Sequence, residues 1–92
     1  MSKEKLLREI RFGSYLKELR ISKQVKIREV AEATGIGLTT MYDAEKQKKA
    51  ITSPELLQRL AKYFNVDMME FLTRLGYFPY NEDNSDANPS VA

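Results

Sequence analysis

A chain of 92 residues is one domain's worth, with room for a single modest core and none for a separate substrate domain. Hydrophobic residues make up 42% and charged residues 30%, and the net charge is only +2; this is a globular balance, with no apolar run near the roughly 20 residues of a membrane helix. Cysteine and histidine are both absent, which excludes disulfides, thiolate zinc sites, Cys nucleophiles and His-based triads.

Helical spacing sets in at once. Leu6 and Ile10 stand four apart, and Phe12, Leu16 and Leu19 repeat at four and three with Tyr15 on the same side. This first helix is expected to end near residue 20 or 21, before a polar turn at Ser22, Lys23 and Gln24. A short second helix is expected near residues 27–33, with Val30 and Ala31 inward, Gly35 as its left-handed stop and Lys26 as a poor N-cap. Ile36 anchors the turn. A third helix spans about 38–46, with Met41 and Ala44 on its inner face and Gly37 at its cap.

Ser53, Pro54 and Glu55 mark the start of a fourth helix by cap, ring and dipole. Its stripe is Leu57, Leu60, Ala61 and Phe64. Asp67 and Glu70 have capping-box spacing ahead of a fifth helix, striped by Met68, Phe71, Leu72 and Leu75 and ended by Gly76. No segment alternates as a strand would. The expectation is an all-α domain over residues 1–80, with a disordered acidic tail over 81–92.

Charge is unevenly spread. Residues 1–28 carry nine Lys or Arg against three Glu, whereas residues 77–92 carry only Glu82, Asp83 and Asp86. Without the tail the body is +5, a field suited to a polyanion or simply a mixed soluble surface. No carboxylate pair stands out for acid–base work, so no enzyme, cofactor or metal is expected. Residues 1–5 lack the apolar centre of a signal peptide, and a cytoplasmic place without a membrane partner is expected.

Two short helices meeting at a Gly-containing turn describe a helix-turn-helix. The ordered set is Leu16-Lys17-Glu18-Leu19-Arg20, Val30-Ala31, Gly35-Ile36-Gly37, Met41-Tyr42-Asp43-Ala44-Glu45, Leu57-Gln58-Arg59-Leu60-Ala61 and Phe71-Leu72. These residues resemble the Cro/CI-type helix-turn-helix domain, the XRE family, over about residues 12–75. The resemblance implies a five-helix, lambda-repressor-like fold that binds double-stranded DNA. It also implies a transcriptional regulator, a repressor on a palindromic operator, working as a homodimer at a bacterial, phage or plasmid nucleoid.

Carried over residue by residue, the third helix is the recognition helix in the major groove. Leu38, Thr39, Tyr42 and Asp43 then face base edges, where Thr39 can hydrogen-bond a base or touch a thymine methyl and Asp43 can accept from cytosine N4. Backbone contacts are expected from Lys26, Arg28 and Thr40, and from Lys46, Lys48 and Lys49 after the recognition helix. Arg20 and Glu45 match the family's structural ion pair. Three residues depart from the family pattern: Ile27 where Gln often holds a phosphate, Gly37 where Ser or Thr is preferred, and Asp43 on a helix face without Arg, Gln or Asn. With these departures the expectation is either a modest specific affinity or one that leans on DNA shape.

The dimer surface is expected at helix five and beyond: Phe71, Leu72 and Leu75, then Tyr77, Phe78 and Tyr80 around Pro79. Tyr77 and Phe78 could equally fold back to close the core. Two other functional readings stay open. One is an antitoxin whose 81–92 segment binds a toxin. The other is a protein-binding module of the same fold that no longer binds DNA.

Overall fold

The computed structural model describes residues 3–77, which form five helices. They are α1 (Lys3–Lys23), α2 (Ile27–Thr34), α3 (Leu38–Glu45), α4 (Pro54–Phe64) and α5 (Met68–Arg74). No strand occurs among the described residues. The expected tail, and with it Phe78 and Tyr80, lies outside them.

The order and type of the elements follow from their stripes, and α1 is the spine. It packs on α3, α4 and α5, while α2 packs on α3 and α4. Phe12, Leu16, Val30, Met41, Leu57, Leu60 and Phe71 meet at the centre with no exposed surface. Each such side chain contributes roughly 1.5–3 kcal/mol by leaving water. Phe71 stacks obliquely on Phe12, with centroids 5.6 Å apart, and takes the edge of Tyr15 at 5.4 Å.

Helix α1 runs past the expected stop at residue 20 or 21 and ends at Lys23. Gln24 terminates it at φ 61°, with Val25 N–H donating to the Arg20 carbonyl. This is the six-to-one bond of a Schellman motif. The same closure ends α4 at Asn65 (φ 58°) and α5 at Gly76 (φ 88°). Glutamine is not a residue that announces a left-handed stop, so the polar composition of residues 22–24 puts the turn too early.

Two starts also differ in detail. At α2, Lys26 makes no side-chain cap, but the Glu29 carboxylate reaches back to accept from the Lys26 N–H at 2.6 Å. At α5, Asp67 accepts from Met69 N–H at 2.9 Å, while Glu70 turns away to pair with Arg74 at 2.5 Å. The expected box there is only half made, because Arg74, one turn ahead of Glu70, offers it a cation.

The apolar stripe of α1 is used only from Phe12 onward. Leu6, Leu7 and Ile10 are 49%, 38% and 39% exposed. Conversely, Phe71 and Leu75 are 0% and 3% exposed. Contrary to expectation, these two offer no surface to a dimer. They are core residues, because α5 is so short that its inner face is consumed in covering α1 and α4.

Candidate nucleic-acid interface

Helix α2 ends in a tight turn built by three residues. Thr34 is buried; its hydroxyl donates to the Val30 carbonyl at 2.7 Å and accepts from Ile36 N–H at 3.3 Å. Gly35 takes φ 77°, where a side chain would be strained. Ile36, 3% exposed, plugs the joint. Arg59 of α4 braces the turn from outside, donating to the Thr34 carbonyl at 3.3 Å and to Glu55 at 2.7 Å. Sequence reasoning misses both Thr34 and Arg59. Thr34 does sit four residues after Val30 on the buried stripe, a signal open to reading; Arg59 carries none.

The turn throws α3 outward. Met41 and Ala44 face the core, and Thr39, Thr40 and Tyr42 are exposed or nearly so. Leu38 and Asp43 are half-buried, with Leu38 leaning on the core. Gly37 caps the helix without a side-chain bond, leaving the positive end of the helix dipole unscreened by a local carboxylate. Lys46 brings its Nζ to 5.7 Å from the Tyr42 ring centre.

Helix α3 is then fixed from behind. Arg20 grips Glu45 with two bonds, Nε to Oε2 at 2.6 Å and Nη2 to Oε1 at 3.1 Å. Its remaining nitrogen donates to the Val25 carbonyl at 2.9 Å. The pair is largely shielded, with side chains 18% and 6% exposed. One guanidinium therefore ties the end of α1, the entry to α2 and the end of α3 together.

Beyond Glu45 the chain closes another Schellman motif around Gln47, at φ 62°. Gln47 N–H donates to the Ala44 carbonyl at 3.1 Å, and Lys48 N–H to the Asp43 carbonyl at 2.9 Å. This turn presents Lys46, Lys48 and Lys49, all exposed, directly after α3. Lys26 and Arg28 are likewise exposed at the start of α2. There, however, the Glu29 carboxylate already occupies the terminal N–H, where an incoming phosphate would bind.

Leu72 is half-buried and Tyr77 is 57% exposed. A groove of about 290 Å³ is lined by Ile10, Arg11, Ser14, Tyr15, Glu18 and Arg74. Arg74 stacks over Tyr15 at 4.0 Å. Burial, with the Glu70 charge second, lifts the Tyr15 phenol above its ordinary range, and Arg74 works against both. No helix of the described residues is long and apolar enough to cross a membrane.

The family model described as helix-turn-helix matches residues 16–71, from the middle of α1 to α5. Comparisons with curated proteins and with solved structures find no match.

Proposed function

The chain belongs to the helix-turn-helix family of the Cro/CI (XRE) type, and from that premise we propose that it is a sequence-specific DNA-binding transcriptional repressor acting as a homodimer. One observation carries the reading. A bidentate ion pair, a braced turn and a Schellman closure hold an exposed helix face and three exposed lysines on one continuous stretch, residues 38–49. That stretch has the ingredients of a major-groove helix with flanking phosphate contacts. Thr39 and Tyr42 are the outward candidates for base edges, while Leu38 and Asp43 contribute at the margin of the groove. Lys26, Arg28 and Thr40 join Lys46, Lys48 and Lys49 on phosphates.

A single module reads only a few base pairs, so tight operator binding calls for two copies on two half-sites. The exposed Leu6, Leu7 and Ile10, together with Leu72 and Tyr77, supply apolar surface for a second copy. Selection of bound duplexes from a random pool at stated salt tests the proposal. It should return a palindrome with half-sites about one helical turn, 34–36 Å, apart. No enrichment, with no salt-dependent binding to any duplex, would leave a protein-binding module as the reading.

A further inference from the structure

The face that α1 turns toward residues 44–50 contains a buried carboxylate that the interface described above does not use. Glu9 is 5% exposed. It stands three residues before Phe12 and seven before Leu16, on the stripe that enters the core. Burying a carboxylate is costly unless it is hydrogen-bonded. Its partner is the backbone N–H of Ala50, a residue that is itself buried.

The neighbouring turn of α1 makes two more contacts with the same segment. Gly13 allows so close an approach that a Cβ there would collide with the Ala44 carbonyl oxygen and lie 2.8 Å from Gln47 Cγ. The Gln47 side-chain amide donates to the Ser14 hydroxyl at 3.0 Å. Lys48 and Lys49 therefore lie between two anchors, Gln47 on one side and Ala50 on the other. Their own N–H groups both turn inward to the Asp43 carbonyl, at 2.9 and 3.3 Å, while their side chains stay exposed.

We propose that Glu9 is a positioning residue for phosphate binding. It touches no DNA; by holding the Ala50 N–H it fixes the backbone from which Lys48 and Lys49 reach a phosphate. The inference rests on the DNA-binding reading and adds to it the group that sets the loop. A charge-assisted bond is roughly twice as strong as a neutral one, which is what anchoring one residue beyond a pair of like-charged lysines requires.

Coulomb's law and positioning predict opposite outcomes when the charge is removed. Deleting a negative charge from a DNA-binding protein should tighten binding if charge alone matters; removing the anchor should weaken it. The full chain, with Glu9→Leu and Glu9→Gln beside the wild type, is titrated with one mixed-sequence duplex over a salt series. Amide exchange at Ala50 is followed in parallel. Glu9→Leu should keep its helical content, speed Ala50 exchange about tenfold or more, and bind several-fold more weakly. Its salt slope should be shallower by roughly 0.9 for each phosphate no longer neutralised. Glu9→Gln, which keeps an acceptor but loses the charge assistance, should show each effect in part.

Faster Ala50 exchange with wild-type affinity and slope, or tighter binding, would overturn the proposal. So would weaker binding at an unchanged slope, the mark of a role in stability alone. Should Glu9→Leu not fold, Glu9→Gln decides: a partly loosened Ala50 with a proportionately shallower slope supports the proposal, and an unchanged slope overturns it. A wild type that binds no duplex overturns the DNA-binding reading itself, and that arm is read before any variant is compared.

Discussion

At Arg20 a single side chain satisfies three acceptors through its guanidinium, so its loss strands more than one group. Arg20→Ala leaves the shielded Glu45 carboxylate without its cation, a change that reaches about 3–5 kcal/mol when burial is deep. Because the arginine retains some solvent exposure, a coupling of about 1–2 kcal/mol is expected in a double-mutant cycle with Glu45→Ala, measured by denaturant unfolding. A coupling near zero would make the pair ornamental. Phe71→Ala should cost about 3–5 kcal/mol, as a buried ring closing the core would. A folded, merely monomeric variant would return Phe71 to a dimer surface. Tyr15 gives a pH signature. Its phenol ionises later in the folded chain than in the unfolded one, so alkali favours unfolding as pH climbs from the ordinary tyrosine range toward the raised value, and below that range nothing changes. Absorbance titration should show a late phenolate component that is missing from Tyr15→Phe.

The helices themselves are legible in the sequence because their stripes have one period, and the family resemblance places the turn at Gly35. How the helices end and begin is not legible. Gln24, Gln47 and Asn65 take left-handed backbones, and the glutamines do so because the six-to-one bonds beyond them outweigh a steric cost of roughly 1–2 kcal/mol. Sequence carries no mark of that balance. Gln24→Gly should therefore stabilise the fold by about 0.5–1 kcal/mol, raising Tm by a few degrees in a thermal melt; a fall in Tm would show that the side chain matters more than the backbone. Gly13 is invisible in the stripe because a glycine carries no hydrophobic signal, yet the crossing of α1 over α3 depends on its missing Cβ. The capping carboxylate of Glu29 at α2 is equally silent. Glu29→Gln keeps an acceptor for the Lys26 N–H while removing a charge from a proposed phosphate site. It should raise DNA affinity several-fold at low salt, with the gain fading as salt screens it; an unchanged affinity would place the phosphate elsewhere.

Across the whole molecule, the basic first 28 residues and the lysine turn lie on a frame whose centre is α1. That frame holds the proposed DNA surface at Arg20, through Glu45, and at Glu9, through Ala50, and on another face near its start it exposes Leu6, Leu7 and Ile10. Sequence reasoning puts the dimer surface on α5, because an apolar stripe looks the same whether it meets its own core or another chain. Substituting Leu6 and Ile10 by Ser should shift the protein toward monomer in sedimentation equilibrium and weaken operator binding, with helical content kept. A wild type that stays monomeric at high concentration would remove the dimer from the account. On the proposed reading, residues 38–49, with Lys26 and Arg28, form the DNA surface. Mapping amide shifts of the labelled full chain during titration with duplex DNA at stated salt tests it most directly. Perturbations should concentrate at residues 26–28 and 38–49 and diminish as salt is raised; shifts confined to residues 6–10 of α1 and to α5, or none at all, would place the DNA surface elsewhere or remove it.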